Sequence, residues 1–425
     1  MKILQHEKLV VGDIILTTTG SPVSLAIRKA TKADISHAML YVAACSVIDA
    51  TSEGVQARNT QRLLIEDNRA VHVMRLRGGL RPKESRTICD YVRGRVGTQY
   101  GTREALKTAT GGDDTWSEKQ FCSRLVAQAY ASVGIKLVAN ENYCSPNDIL
   151  QSPLLEEISD VTRQAVDSDF WFEKVADLPQ QMRDATNAFF KRVRLKNSAI
   201  QNFNDVYQHL ISNPGDDEYF AKALEDSGYL TVWQVEVDES PWHYDLAVME
   251  AIPSTNDVKD YCITILEDSG QARRRCAINA HAHQQLYKEY PLKTFEALRD
   301  LDALLLDLLH ARRFVAATWL SRHAPDALPP IMPTPHTKEW FEQLDIEEPQ
   351  KAKMTRAILS AAGRDNVCSI CGDDPAIDYR RAGPILPGIL SLTLRLCDDC
   401  LAVRDELFGE KYVPLEPSNP GSRGT

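Results

Sequence analysis

A cysteine and a histidine in the first third of the chain are of the types that nucleophilic acyl transfer requires. Cys122 stands at the beginning of an amphipathic segment, and His37 begins a short apolar run. A cysteine hydrolase needs a thiolate, a neighbouring imidazole to take its proton, and a third polar group to orient that imidazole. Asp49, in the next apolar run, is of the right type for the third group. A lone cysteine on a helix or a lone histidine on a strand is more often structural than catalytic, so the placement of these residues in the fold decides between the two roles.

Four further cysteines near the C-terminus are spaced as metal ligands. They form two C-x-x-C pairs, Cys368 with Cys371 and Cys397 with Cys400, separated by 25 residues. Each two-residue spacer lets a tight turn aim both thiolates at one ion, and zinc prefers four tetrahedral sulfur ligands. We therefore predict a structural zinc site in which no coordination position is left open for catalysis. A redox dithiol would explain one pair but not both.

A nuclease finger of the HNH type is the alternative for this end of the chain. Such a site needs a histidine base, and no histidine follows His336. The segment 364–425 also carries seven Lys or Arg against ten Asp or Glu, so it is net acidic. We therefore expect a knuckle that stabilises the fold or binds a protein partner, and no nucleic-acid partner.

Short, partly β-branched apolar runs must position the histidine and the aspartate. Runs bounded by Gly, Ser or Asp predict strands at Ile14–Thr17, Ala38–Val42, Val47–Ala50 and Val71–Leu76. The two middle strands, joined by a turn near residues 44–46, would form an antiparallel pair. In such a pair the side chains of the histidine and the aspartate can share one face.

Helical spacing predicts a helix over Phe121–Val133, with a second helix over Lys83–Val96. Cys122 then lies at the N-terminus of the first of these helices. There the dipole and the free amides favour a thiolate and the oxyanion that follows its attack. A capping box formed by Ser117 and Gln120 would instead begin the helix earlier and place the cysteine in its second turn.

The chain from about residue 166 to 360 has mainly helical spacing. The clearest helix is predicted over Phe295–Leu320, where leucines form one stripe. The run Leu230–Val237 predicts the single strand of this part. The Pro-rich stretch 329–335 is typical of a linker or a domain-edge loop, and residues 416–425 are expected to form a flexible tail.

The composition is that of an ordinary globular chain of two or three domains. Its 425 residues are 25% charged and 43% hydrophobic, with a formal net charge of -10. This acidity argues against binding nucleic acid over a broad surface. The N-terminus lacks the apolar core of a signal peptide, and no stretch of about 18 apolar residues predicts a transmembrane helix. We expect a cytoplasmic protein with reduced scattered cysteines, and leave delivery by a non-classical secretion route open.

Three segments together resemble a known family of cysteine hydrolases. GDIIL at 12–16, SHAMLYV at 36–42 and FCSRLVAQAY at 121–130 are similar to the permuted NlpC-type branch of papain-like peptidases, the YiiX-like proteins. In that branch the strand pair with the histidine precedes the nucleophile helix, as it does here. VGTQYG at 96–101 and SPNDILQSPLLEEI at 145–158 also resemble family segments. The similarity covers roughly the first 160 residues.

The resemblance implies a role for each matching residue. Cys122 is the nucleophile and His37 the general base. Asp49 takes the position that orients the imidazole, where many relatives have Glu, and Glu53 in the following loop is the fallback. Tyr100 matches a tyrosine near the oxyanion in relatives, and the backbone amide of the nucleophile would be the other donor.

These observations predict an α+β chain with a circularly permuted papain-like (NlpC-type) domain at 1–165, a mainly helical domain at 166–360, a four-cysteine zinc segment at 361–415 and a flexible tail at 416–425. The expected function is a cysteine amidase or peptidase that cleaves a peptide or isopeptide amide, such as a cell-wall-type peptide, through a thioester on Cys122. One alternative is a lipid-directed acyltransferase or thioesterase at the same site. The other is a non-catalytic protein whose helical and zinc regions bind a protein partner.

Overall fold

The computed structural model describes residues 1–18, 24–25, 28–29, 33–101, 119–253, 255–267, 271–327, 334–381, 393–408 and 410–414. Contacts between residues divide the chain into two compact units, Met1–Val235 and Glu236–Thr425. None of the helices in the described ranges combines the length and the apolar character that spanning a membrane requires.

The first unit is built on a six-stranded antiparallel sheet. The described residues of this unit form eight strands in all, which are β1 Lys2–Leu4, β2 Ile14–Thr17, β3 His37–Ala43, β4 Ser46–Thr51, β5 Gly54–Asn59, β6 Val71–Leu76, β7 Leu155–Ile158 and β8 Thr162–Gln164. The sheet has the order β5-β4-β3-β2-β6-β7, while β1 and β8 form a separate pair. Because β3, β4 and β5 are consecutive and joined by short turns, their register is set locally.

Six helices accompany this sheet among the described residues. They are α1 Pro82–Arg93, α2 Cys122–Ala131, α3 Pro146–Leu150, α4 Leu178–Val193, α5 Phe203–Ser212 and α6 Asp217–Ser227. Apolar side chains of α1 and α2 pack against β2, β3 and β4 to form the main core of the unit. The hydroxyl of Tyr130, near the end of α2, donates a hydrogen bond of 2.6 Å to the Gly12 carbonyl. This buried bond anchors the helix that carries Cys122 against the strands.

The strands and helices predicted for the first 165 residues are confirmed in type and place. The predicted bounds of Ile14–Thr17 and Val71–Leu76 are those observed, and the helix predicted over Phe121–Val133 begins one residue later, at Cys122. The capping-box alternative involves Ser117, which lies outside the described residues. Since the helix begins at the cysteine, Cys122 occupies its first turn.

The strand predicted at Leu230–Val237 is wrong, because residues 230–231 lie in a turn and the others belong to helix α7, Val232–Glu239. The alternation of β-branched and polar residues suggested a strand. However, none of the residues of this helix is buried, so the apolar side chains of the segment do not form the buried face that a strand would place against a core. The helix instead satisfies its backbone hydrogen bonds locally.

The second unit is helical, with a small sheet near its end. Its further helices are α8 Leu246–Glu250, α9 Thr255–Glu267, α10 Gln271–Glu289, α11 Lys293–His323, α12 Lys338–Glu347, α13 Pro349–Ala362 and α14 Asp398–Phe408. The strands are β9 Ile377–Arg381, β10 Thr393–Leu396 and β11 Tyr412–Pro414, in the order β10-β9-β11. The helix predicted over Phe295–Leu320 is confirmed as the central part of α11.

The predicted division at residues 165, 360 and 415 stays a prediction. By contacts, the helices up to residue 235 lie with the sheet in the first unit. The predicted tail 416–425 and residues 329–333 of the Pro-rich stretch lie outside the described residues.

Candidate active site and metal centre

The register of β3 and β4 brings His37 and Asp49 into contact. Asp49 pairs with Met39, so His37 occupies the diagonal position two residues away, within reach of a side chain on the neighbouring strand. His37 Nε2 lies 2.8 Å from Asp49 Oδ2. Both residues are buried, with 8% and 2% of their surfaces exposed. The hydrogen bond therefore forms away from bulk water, where it is stronger.

Cys122 is the first residue of α2, and it is held close to the start of β3. Phe121 before it has an extended backbone, and the Leu125 amide donates to the Phe121 carbonyl to close the first turn. The amide of a residue in this position has no acceptor within the helix. Cys122 Sγ lies 4.0 Å from the Ser36 carbonyl oxygen. The thiol is thus placed at the positive end of a helix dipole and beside the residue that precedes His37.

Arg58 on β5 also belongs to this group, although no sequence motif marks it. Its Nε donates to both carboxylate oxygens of Asp49, at 2.9 and 3.1 Å. Its Nη2 donates to Thr51 Oγ1 and to Glu53 Oε2, each at 2.8 Å. Glu53, the fallback partner for the histidine, thus pairs with Arg58, whereas Asp49 contacts His37. The arginine fixes the carboxylate that faces the imidazole.

The electrostatics of this group favour the protonated imidazole. Burial alone lowers the pKa of His37, but the hydrogen bonds and negative charges of Asp49 and Cys122 outweigh it and raise the pKa to about 10. Burial likewise acts to raise the pKa of Asp49, yet His37 and Arg58 together bring it below its ordinary value. Because Asp49 engages Nε2, the nitrogen left for the thiol is Nδ1. The arrangement can hold an imidazolium between a thiolate and a carboxylate.

Tyr100 is placed beside this group by a short parallel bridge to Gln120. The Gln120 amide donates to the Gln99 carbonyl at 2.9 Å, and the Gly101 amide donates to the Gln120 carbonyl at 2.8 Å. Burial, followed by the negative charges of Cys122 and Asp49, raises the pKa of Tyr100 well above its ordinary value. Its hydroxyl therefore keeps its proton at neutral pH and is available as a donor.

The raised pKa of His37 predicts how stability depends on pH. Because the pKa in the folded state, about 10, exceeds the ordinary value of 6.5, the protonated histidine stabilises the fold by an order of a few kcal/mol. That contribution is complete below pH 6.5 and is lost as the pH rises through about 10. We expect the free energy of unfolding to fall over this interval more in the wild type than in a His37→Gln variant. The free energy of unfolding is measured by urea unfolding at several pH values between 6.5 and 10, with limited proteolysis within residues 37–59 as the readout.

The matched control for this prediction is His72→Gln, which changes a less buried histidine on β6 that pairs with Glu157 at the surface. Its pH dependence should parallel that of the wild type. If His37→Gln and the wild type also show parallel pH dependence, His37 is not held protonated by its neighbours.

The four cysteines near the C-terminus lie together in the second unit. Their sulfur atoms are all within 4.8 Å of one another, and the sulfurs of Cys371 and Cys397 are 3.5 Å apart. Four thiolates bound tetrahedrally at ~2.3 Å from one ion would be roughly 3.8 Å apart. This group can therefore hold a metal ion with little movement.

A hairpin and a helix end hold these cysteines in place. Cys368 and Cys371 lie in the turn before β9, and the second pair lies where β10 meets α14. The core beneath includes Trp340, whose indole nitrogen donates a 2.8 Å hydrogen bond to the Thr393 carbonyl. Since Cys368 and Cys397 are themselves part of this core, the metal ligands and the apolar packing depend on each other.

A family model and a solved structure are each similar to part of this chain. No curated protein shows a significant match. A crystal structure of metalloprotein yiiX from Escherichia coli O157:H7 is similar to 36% of this chain and 97% of its own, with 17% identity and a TM-score of 0.24. Residues 8–169 match the model of the family described as "Permuted papain-like amidase enzyme, YaeF/YiiX, C92 family". The resemblance indicated by the sequence motifs is thereby confirmed over residues 8–169.

Proposed function

We propose that the first unit is a cysteine amidase or peptidase, with Cys122 as nucleophile, His37 as acid and base, and Asp49 as the group that orients the histidine. The observation that carries the proposal is the buried 2.8 Å hydrogen bond between His37 Nε2 and Asp49 Oδ2, with Cys122 in the first turn of α2 near enough to raise the pKa of the histidine. The family description, a papain-like amidase, supports the same reaction class. A structural cysteine would gain nothing from a buried imidazole held by a carboxylate and an arginine.

The proposed reaction is acyl transfer to water in two steps. The Cys122 thiolate attacks the amide carbonyl carbon, and the proton on His37 Nδ1 passes to the leaving nitrogen as the C–N bond breaks. An amine leaves, and a thioester remains on the cysteine. His37, now neutral, takes a proton from a water molecule that attacks the thioester carbonyl. The carboxylic acid product leaves, and the thiolate and imidazolium are restored.

Two donors are proposed for the oxyanion that forms in each step. The Cys122 amide points out of the first turn of α2, and the Tyr100 hydroxyl, protonated at neutral pH, lies on the neighbouring segment. Donors fixed in advance lower the barrier because they need no reorganisation when the charge develops. The proposed substrate class is a peptide or isopeptide amide, for example a cell-wall-type peptide.

For the four-cysteine site in the second unit we propose zinc as the bound ion. The donor set consists of four sulfurs that converge on one point, which is the preference of structural zinc. The ion would tie the turn before β9 to the start of α14. All four positions would be filled by protein, so its role is to stabilise the fold.

Alkylation by iodoacetamide, read for each cysteine by mass spectrometry, tests the proposed nucleophile. Near pH 6 an ordinary thiol with a pKa of about 8.5 is almost wholly protonated, so a stabilised thiolate should react roughly tenfold faster or more. We expect Cys122 to label fastest although it is only 3% exposed, and to lose this advantage in His37→Ala. Cys45 is the internal control, because it is more accessible and burial raises the pKa of its thiol.

The opposite order would contradict the enzyme proposal. If Cys45 labels before Cys122, and His37→Ala changes neither rate, exposure alone governs reactivity and the protein is better studied as a binding module. If Cys122 is reactive but only acyl esters or thioesters are turned over, the dyad stands and the substrate class changes to a lipid-type acyl group.

A further inference from the structure

The backbone that leads into Tyr100 is held on one side by the start of β5. The Gly97 amide donates to the Val55 carbonyl at 3.0 Å, and the Val55 amide donates to the Thr98 carbonyl at 2.9 Å. This pairing ends at Thr98, two residues before the tyrosine. The position of Tyr100 therefore depends on its bridge to Gln120 and on what holds the other side of residues 97–99.

The other side is held by helix α4 and the segment that follows it. Arg194 Nη2 donates to the Gly97 carbonyl at 2.7 Å, and the Gln99 amide donates to Gln201 Oε1 at 3.2 Å. Gly97 has a φ of +92°, and a Cβ on it would lie 2.2 Å from the ring of Phe190. The ring therefore packs directly on the glycine backbone, and residue 97 must be a glycine for both reasons.

Several contacts fix the side chain of Arg194, so it can in turn fix the backbone at Gly97. Its Nε donates to the Ile200 carbonyl at 2.8 Å, and Nη2 also donates to the Gln201 carbonyl at 3.0 Å. Its guanidinium lies 4.9 Å from the centre of the Phe190 ring. One side chain thus joins three backbone carbonyls, two from its own segment and one from the Tyr100 segment. A planar fork of donors is suited to such a task, whereas a lysine ammonium is not.

The same helix also contacts the strand that carries Arg58. Asn187 Oδ1 accepts a 2.9 Å hydrogen bond from Gln56, which is buried at 1% exposure. Arg183 Nη1 donates to the Ala57 carbonyl at 3.2 Å. Both backbone segments around the dyad, β5 and residues 97–101, are therefore in contact with α4 or the residues just after it. This helix lies beyond residue 169, where the family match ends.

We propose that Arg194, assisted by Gln201 and Phe190, is a positioning residue that sets the Tyr100 hydroxyl toward the oxyanion, so that residues 178–201 complete the active site. The inference rests on the proposed amidase function. Catalysis is sensitive to small displacements, and a shift of about 1 Å in a group that stabilises the transition state can cost up to ~10² in rate. The hydrogen bonds of Arg194 go to the carbonyls of Ile200, Gly97 and Gln201 and not to Cys122 or His37, so we expect the dyad to be unaffected by its loss.

Comparison of Arg194→Met with Arg192→Met in the full-length protein tests the proposal. Arg192 lies two residues earlier, in the last turn of α4, but pairs with Asp226 on α6, away from the Tyr100 segment. We expect Arg194→Met to lower kcat roughly tenfold with little change in KM and in alkylation of Cys122, and Arg192→Met to leave all three unchanged. In a Tyr100→Phe background, Arg194→Met should cause no further loss, because its effect passes through the hydroxyl.

A purely structural role would give different results. With a purely structural role, Arg194→Met would lower the thermal midpoint and the rate of Cys122 alkylation along with kcat. Alternatively, it would lower kcat further in the Tyr100→Phe background. Either result overturns the proposal. If Arg194→Met does not fold, Gln201→Ala, which removes the acceptor of the Gln99 amide, carries the same prediction. Hydrogen exchange of peptide 96–101 should be faster in both variants than in Arg192→Met.

The outcome for the wild type separates this inference from the proposed function. A wild-type protein that hydrolyses no amide, ester or thioester overturns the proposed function and this inference with it. If the wild type is active and Arg194→Met has the same kcat as Arg192→Met, only the positioning role is overturned.

Discussion

Replacing Asp49 by Asn is expected to lower kcat for hydrolysis roughly 10²- to 10⁴-fold, the range over which a positioned acid–base group contributes. Asp49 accepts the hydrogen bond from His37 Nε2 at 2.8 Å, and its negative charge is one of the causes that raise the pKa of His37. An amide in this place carries no charge and can present an N–H to the ring, which favours the wrong tautomer. The measurement is kcat and its pH dependence on any substrate that the wild type hydrolyses.

Glu53→Gln is the matched control for this variant. Glu53 is the other carboxylate bound to Arg58, with 45% of its side chain exposed, and the structure places it on the arginine instead of on His37. Loss of an exposed ion pair costs little, so kcat should stay within about twofold. Equal losses in Asp49→Asn and Glu53→Gln would contradict the assignment and would point to the Arg58 cluster as the functional unit.

The sequence predicted the part of the site that follows from local patterns. The strands at β3 and β4 have apolar runs separated by a short turn, so their antiparallel pairing required no distant contact. His37 and Asp49 lie on these two strands, and their contact follows from that pairing. Cys122 was placed at a helix start because the spacing of Leu125, Val126 and Ala129 is helical.

Arg58 could not be found in this way. The strand GVQARN has one apolar β-branched residue and three polar ones, so it lacks the pattern of a buried strand. It forms because each of its residues pairs with β4, where Arg58 lies opposite Val47 and diagonal to Asp49. Register is a property of the paired strands and is absent from the residue types of either strand alone. An isolated arginine in a polar segment is usually a solvated surface residue.

The contacts of α4 with the active-site segments were also beyond the sequence. Helical spacing shows that a helix has an apolar face but does not show which surface that face covers. Phe189 and Phe190 are both fully buried, yet their sequence neighbourhood is compatible with a separate helical domain. The packing of Phe190 on Gly97 joins residues that are 93 positions apart in the sequence. Such a contact becomes visible only when the folded chain brings the two residues together.

Removal of the metal is expected to unfold the four-cysteine region while the first unit stays folded. Structural zinc contributes ~10–16 kcal/mol in small zinc-binding peptides, which equals or exceeds the ~5–15 kcal/mol stability of a typical domain. Cys368 is fully buried and Cys397 is 7% exposed, so the core beside Trp340 would lose its order with the ion. We expect one zinc ion per chain by elemental analysis. A strong chelator should raise hydrogen exchange in peptides from residues 365–401.

Cys397→Ser and Cys276→Ser provide the matched pair of variants for this prediction. Cys276 lies on α10 in the same unit, outside the four-cysteine group. Cys397→Ser should lose the metal and reproduce the effect of the chelator, whereas Cys276→Ser should keep both the metal and the exchange pattern. Peptides from residues 37–59 should exchange as in the wild type in every case.

A chain purified without metal, with a disulfide between Cys371 and Cys397, would contradict the structural-zinc proposal. The two sulfurs would then act as a redox pair, with the 3.5 Å between them replaced by a covalent bond.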